Sequence, residues 1–237
     1  MNRELIIALD FPNWEETDYF LQKFDRPLFV KVGLELYLQN GPRIIEELQK
    51  QDHKIFLDLK LHDIPNTVKK AMKGLARLGV QLVNVHAAGG REMMESALEG
   101  LDQGTDSSLQ RPIIVAVTQL TSTSQQQMQS EQNIVCSLED SVSHYANLAQ
   151  YAGIDGVVCS SREVPLIQKN CRNNFLTITP GIRLRRDDLG DQVRIASPSE
   201  ARKLGASSIV VGRSITNAHH PQAAFQEILE QWEGKGQ

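Results

Sequence analysis

The strongest constraint on how this chain can fold is a recurrence. Eight short apolar runs rich in Val, Ile and Leu punctuate it, at 5–11, 28–33, 55–61, 82–87, 113–119, 156–160, 176–180 and 208–212. Each has the length of a strand, and helical patterns fill the intervals. Residues 13–23 open on Asn13, a favoured N-cap, and carry Glu15, Glu16 and Asp18 where the positive end of a helix welcomes acid. Residues 35–50 set Leu36, Ile44, Ile45 and Leu48 on a partial stripe that Gly41-Pro42 interrupts. Further helical patterns lie at 66–77, 92–101, 138–151, 163–169, 199–204 and 223–232. Ser197-Pro-Ser-Glu200 reads as a capped helix start, and Gly79, Gly153 and Gly205 stand where a left-handed C-cap residue is wanted. Eight alternations of strand and helix in 237 residues predict an α/β fold, a single (β/α)8 TIM barrel spanning residues 1–237. The alternative, a doubly wound open sheet, announces a dinucleotide site by Gly-x-Gly-x-x-Gly after its first strand. Here Asp10-Phe-Pro-Asn13 occupies that place.

Composition narrows the class of partner. The net charge is −4, which points to neither nucleic acid nor an anionic membrane surface. The chain has no apolar run of roughly 18 residues, and Met1-Asn-Arg-Glu4 leads straight into a strand, so neither a membrane span nor a secretory signal is expected. Cys136, Cys159 and Cys171 form no Cys-x-x-Cys pair, and an odd number of thiols fits a reduced, cytoplasmic protein. The six histidines show no metal-binding spacing, and His219-His220 before Pro221 reads as a solvated loop.

The third run carries the chemistry. Between Ile55 and Leu61 only Asp58 and Lys60 interrupt the apolar pattern, and strand alternation puts those two on one face. Charges inside so apolar a run cost desolvation unless they are matched. A third charge, Asp63, follows the strand, and Pro65 suits the first turn of the next helix. One Asp/Lys pair at a strand end is an ordinary salt bridge. Lys31 near the end of the second run and Asp10 at the end of the first make it a constellation at one barrel mouth, where such folds keep their active sites. Alternating signs keep each member ionised. A Schiff-base lysine must be neutral to attack, so Lys60 is expected to act as a cationic proton donor instead.

Two further segments suggest phosphate binding. Val210-Val-Gly-Arg-Ser214 ends the eighth run and Thr179-Pro-Gly-Ile-Arg183 ends the seventh. Phosphate-binding barrels grip after these strands, at a short extra helix. Gly212 lets the backbone approach and Arg213 offers a bidentate fork. The polar stretch 121–133 is either a disordered loop or a mobile lid over the mouth.

Asp58-Leu-Lys-Leu-His-Asp-Ile-Pro-Asn-Thr67 resembles the D-x-K-x-x-D-I-P-N-T signature of the orotidine 5′-phosphate decarboxylase family. Leu9-Asp10, Val30-Lys-Val-Gly33, Val85-His86, Leu120-Thr-Ser122, Asp155-Gly-Val-Val-Cys159, Pro180-Gly-Ile-Arg183, Gly190-Asp-Gln192 and Gly212-Arg213 extend the likeness along nearly the whole chain. The resemblance implies decarboxylation of orotidine 5′-monophosphate to UMP, the last step of de novo pyrimidine synthesis, with no metal or organic cofactor. It makes Lys60 the proton donor to C6 of the pyrimidine and Asp58 the carboxylate facing the departing CO2. Lys31 and Asp63 would complete the catalytic network. Asp10 and Lys31 would contact the ribose, Thr121 and Pro180 the base, and Arg183, Gln192, Gly212 and Arg213 the phosphate, with Gln192 also closing over the base. Asp63 and Thr67 would reach into a neighbouring subunit's site, which implies a homodimer with shared active sites.

The nearest rival is the metal-dependent branch of the same suprafamily, which decarboxylates or condenses sugar phosphates. It needs acidic ligands at strand ends, and the second run ends with Lys31, leaving Glu35 as the only nearby acid. A non-catalytic nucleotide-binding barrel is a rival of another kind. It would need the Arg213 grip but not Lys60.

Overall fold

The computed structural model describes residues 3–184 and 194–235. Eight strands, β1 (Glu4–Leu9), β2 (Phe29–Gly33), β3 (Lys54–Leu61), β4 (Leu82–His86), β5 (Ile113–Val117), β6 (Gly156–Val158), β7 (Leu176–Thr179) and β8 (Ser208–Val211), close into a barrel in sequence order. Every neighbouring pair is parallel, including the closing pair β1–β8, where Glu4 stands opposite Ser208 and Ile7 opposite Val211. The expected (β/α)8 architecture is present, and each of the eight apolar runs supplies one strand.

Alternation along the strands sorts their side chains into two cores. Ile6, Ala8, Phe29, Phe56, Leu82, Val115, Ile178 and Val210 form one buried cluster, the filling of the barrel. Their neighbours Ile7, Leu9, Val30, Val32, Leu57, Val83, Ile114, Val157 and Ile209 join the helices in the outer core. Full burial of each such aliphatic side chain contributes about 1.5–3 kcal/mol relative to exposure. The inner cluster is small and apolar, and it forms a floor for whatever side chains follow it toward the C-terminal ends of the strands.

The caps read from the sequence are made. Asn13 Oδ1 accepts from Glu16 N–H at 2.9 Å, and Ser197 and Glu200 form a reciprocal capping box. Gly79, Gly153 and Gly205 all take positive φ. The helices Pro65–Ala76 and Gly90–Gly104 pack unusually closely, because a Cβ on Gly100 would lie 2.2 Å from the Lys69 carbonyl oxygen. Only glycine permits that approach.

The polar stretch after β5 is not a disordered loop. Residues Gln125–Glu131 form a helix whose N-cap, Ser124, accepts from Gln127 N–H at 3.1 Å. Met128 is fully buried and anchors it. Glutamine favours helix, but a single apolar residue gives no periodicity to detect. A second short helix, Arg213–Thr216, follows β8 where the phosphate reading needs one. All three cysteines are free. Among the described residues no helix is long and apolar enough to cross a membrane.

Candidate active site

Above the apolar floor the inward positions turn polar. Ile6 and Ala8 are followed by Asp10, Phe29 by Lys31, Phe56 by Asp58, and Leu82 by Asn84. Asp58 is the hub and is 7% exposed. Its Oδ1 accepts from Lys60 Nζ at 2.7 Å and from Asn84 Nδ2 at 2.6 Å, while its Oδ2 lies 3.4 Å from Lys31 Nζ. Lys31 Nζ reaches back to Asp10 Oδ1 at 3.3 Å. Burial alone would push the Asp58 carboxyl up. The Lys31 and Lys60 ammoniums, with hydrogen bonds from Lys60 and Asn84, outweigh burial and hold it below the usual carboxylate value.

Two backbone features make this geometry. Lys60 has φ of 51°, one of three non-glycine residues with positive φ among those described. It sits where the β3–β4 register slips between Leu57 and Leu61. Its N–H donates to Asn84 Oδ1 at 2.8 Å, so the Asn84 amide satisfies the bulge with one end and Asp58 with the other. A left-handed lysine costs about 1–2 kcal/mol, and such strain is kept where the surroundings over-determine it. At Gly33 a Cβ would stand 3.0 Å from Lys31 Nζ, so the absence of a side chain leaves room for the ammonium.

The hub opens into a cavity of about 200 Å³. Lys31, Asp58 and Lys60 form one wall. Gln119, Leu120, Thr121, Ser122 and Pro180 form the facing wall, over a floor that includes Phe56, Val158, Cys159 and Val210. Burial pushes the Cys159 thiol up to about 12, so at neutral pH it is a small uncharged floor residue. His86, whose ring centroid lies 5.6 Å from that of His62, is held below the usual imidazole value by burial, then by His62 and Lys60, against the pull of Asp58.

The structure thus brings Asp10, Lys31, Asp58, Lys60, Thr121 and Pro180 together. Gly212 joins them at the β1–β8 edge, where its Cβ position would be 3.6 Å from Asp10 Oδ2. Arg213, exposed, is the first residue of the short helix after β8. Arg183 is buried, and its Nη1 donates to the Ile182 carbonyl at 3.1 Å. Gln192 lies outside the described residues. Asp63 and Thr67 are exposed, and Asp63 Oδ1 accepts from Ile64 N–H at 2.6 Å. Within one chain Asp63 makes no ion pair with Lys60 among the described contacts. Sequence reasoning missed Asn84. The available signal was an amide at an inward position of the otherwise apolar Leu82-Val-Asn-Val85.

The whole chain has known relatives. An orotidine 5′-phosphate decarboxylase from a Geobacillus species is 59% identical over 99% of both chains. Another from Bacillus cytotoxicus is 57% identical over the same share. The crystal structure of an orotidine 5′-phosphate decarboxylase from Lactobacillus acidophilus superposes with a TM-score of 0.88 at 42% identity, covering 98% of this chain and 99% of that one. The family model described as Orotidine 5′-phosphate decarboxylase / HUMPS family matches residues 3–228. With the match spanning strands β1 to β8, and so the whole Asp58-centred wall, this chain belongs to that family.

Proposed function

We propose that this protein decarboxylates orotidine 5′-monophosphate to UMP and CO2, in the cytoplasm, without a metal or organic cofactor. The observation that carries the proposal is the hub: one buried carboxylate held ionised between two lysines, with an apolar floor beside it. Loss of CO2 leaves an electron pair on C6, and most decarboxylases delocalise such a pair into a cofactor. In this site the Lys60 ammonium stabilises the developing carbanion electrostatically and then delivers its proton to C6. Fixed charges in a cavity closed to water are effective because they need no reorganisation as the reaction proceeds. Asp58 faces the substrate carboxylate, and its repulsion is relieved as CO2 departs toward the floor. Asp10 and Lys31 hold the ribose, Thr121 and Pro180 hold the base, and Arg183, Gln192, Gly212 and Arg213 grip the phosphate. Binding energy gathered at the phosphate is then used at the reacting carbon.

The test is spectrophotometric. Orotidine 5′-monophosphate added in excess EDTA should lose its ultraviolet absorbance with the wild-type protein and not with Lys60→Ala. Loss of activity in EDTA would favour the metal-dependent branch. UMP affinity preserved in Lys60→Ala, with turnover abolished, separates an enzyme from a binding module.

The same proposal includes a homodimer with shared sites. Asp63 and Thr67 are exposed beside Ile64, an aliphatic residue 67% exposed, and this loop is read as the part that enters the partner's site. Mixing Lys60→Ala with Asp63→Asn, each nearly inactive alone, should then restore roughly a quarter of wild-type activity, since half of randomly mixed dimers carry one intact site. Exchange of subunits, proved by co-purification of differently tagged chains, with no activity regained would refute the sharing.

A further inference from the structure

One buried arginine outside the catalytic wall organises the side of the cavity that faces it. Arg194 lies two residues before the point where the chain returns to the segment that follows β7: Arg183 N–H donates to the Ala196 carbonyl at 3.0 Å, and Ala196 N–H donates to Gly181 O at 3.2 Å. From that anchored position its side chain, 11% exposed, runs beneath two other loops of the mouth. Its Nη1 pairs with Glu163, whose carboxylate is 6% exposed. The other carboxylate oxygen of Glu163 accepts from Ser160 N–H at 2.8 Å, at the end of β6. Its Nη2 donates to Leu120 O at 2.7 Å and lies 3.3 Å from Gln119 O, after β5.

The Leu120 carbonyl is also the acceptor that closes a turn. Thr123 N–H donates to it at 2.9 Å, so residues 120–123 form a β-turn whose two central residues, Thr121 and Ser122, line the cavity. Arg194 therefore adds a charged second donor to the atom that defines this turn, and ties that atom to β6 through Glu163. Without the guanidinium the Leu120 carbonyl keeps the neutral hydrogen bond from Thr123 and a buried carboxylate loses its counter-charge.

We propose that Arg194 is a positioning residue for base recognition, fixing the Thr121-Ser122 turn against the base of the bound nucleotide without itself contacting the reacting atoms. This rests on the nucleotide reading of the site given above. Of the groups assigned above to ribose and phosphate, Asp10, Lys31, Gly212 and Arg213 come from other strands, and Gln192 lies outside the described residues. Arg183 shares the segment of Arg194, but its N–H donates to the Ala196 carbonyl and its Nη1 to the Ile182 carbonyl, bonds that do not involve the Arg194 side chain. A defect at Arg194 should therefore be selective: it should weaken ligands that carry a base and spare those that do not.

The experiment compares two probes, UMP and ribose 5-phosphate, by calorimetry on the wild-type protein and Arg194→Ala. Loss of a charge-assisted hydrogen bond predicts UMP binding weakened by about tenfold or more, with ribose 5-phosphate affinity unchanged. The KM for orotidine monophosphate should rise with it, and guanidinium chloride added at millimolar concentration should restore part of the UMP affinity. Equal weakening of both probes would reduce Arg194 to a general structural support and overturn the proposal, as would unchanged UMP binding. If Arg194→Ala does not fold, Arg194→Lys carries the test. Its single ammonium keeps a cation beside Glu163 but cannot fork to Leu120, so the same selective loss of UMP is expected, and wild-type UMP affinity would overturn the idea. A wild-type protein that neither binds UMP nor turns over orotidine monophosphate would sink the nucleotide reading itself. Normal wild-type binding without the selective loss would sink only the role of Arg194.

Discussion

The two ends of the barrel solve the same electrostatic problem in different ways. At the N-terminal end, Arg111 before β5 meets Asp155 before β6 in a bidentate pair of 2.8 and 2.9 Å, and Ile114 N–H donates to the same carboxylate at 2.9 Å. One planar fork matches one planar carboxylate, both partly exposed, and neither residue has positive φ. At the C-terminal end, Asp58 is more deeply buried and is served by two point charges and an amide, one of the charges carried on a left-handed backbone. Lysine is the poorer partner for a buried carboxylate but the better proton donor, since its ammonium can give up a proton that arginine does not release. The lower pair therefore has the geometry of a fastening. The upper one accepts strain to keep two ammonium groups at the edge of a cavity.

This contrast predicts opposite consequences of breaking each. Lys60→Ala should reduce kcat by about a thousandfold or more, the scale of losing a pre-organised donor to a developing charge. It should cost little stability, because Lys31 and Asn84 still hold Asp58. Lys60→Gly should be equally inactive yet more stable than Lys60→Ala by about 1 kcal/mol, measured by urea denaturation, since glycine accepts the left-handed backbone. Arg111→Ala should do the reverse: unfolding free energy down by about 1–3 kcal/mol with kcat unchanged. A fully active Lys60→Ala, or an inactive but stable Arg111→Ala, would dissolve the distinction.

Asn84 sharpens it at intermediate scale. Asn84→Ala leaves the Lys60 N–H without its acceptor and Asp58 without one donor, in a buried setting. A kcat reduction of about ten- to a hundredfold is expected, a few kcal/mol of lost support converted to rate. The Asp58 carboxyl should titrate higher than in the wild type, by NMR on the carboxylate.

The smallest effect concerns a histidine at the quiet end. His53 is buried, its Nδ1 accepts from Leu28 N–H at 2.9 Å, and burial holds it below the usual imidazole value despite Asp52 nearby. A group whose folded value is lowered binds protons more readily when unfolded. Its contribution to stability is therefore complete above about pH 6.5 and is lost as pH falls from there through the folded value. Urea denaturation at pH 7.5 and 5.5 should show wild type losing more stability on acidification than His53→Gln.

What could be read from the sequence follows the same division. The strands were legible because each is an apolar run bounded by turn residues, and the charged wall of the candidate site because charges are conspicuous in such runs: Asp58 and Lys60 stand out among Ile55, Leu57, Leu59 and Leu61. Asn84 was not, since one neutral amide breaks no pattern. The left-handed lysine was hidden because the bulge is a property of how β3 meets β4, and it takes two strands to define it. The helix at Gln125–Glu131 escaped because it is anchored by Met128 alone. Arg194 was equally silent. Its importance comes from Leu120 and Glu163, 74 and 31 residues away in the chain.

The seam between β1 and β8 sets a timetable for assembly. These strands pair across some two hundred residues of chain, and Trp232 Nε1 donates to the Arg3 carbonyl at 3.1 Å, fastening the helix Pro221–Glu233 to the entry of β1. During synthesis β1 emerges first and waits with an open edge until β8 is available, an interval in which unpaired strand edges invite wrong partners. Asp10 and Gly212 stand on opposite sides of this seam. A ribosome-bound chain truncated before β8 therefore has Lys31 and Lys60 but no completed mouth, so on the proposed reading the site is whole only once the barrel closes.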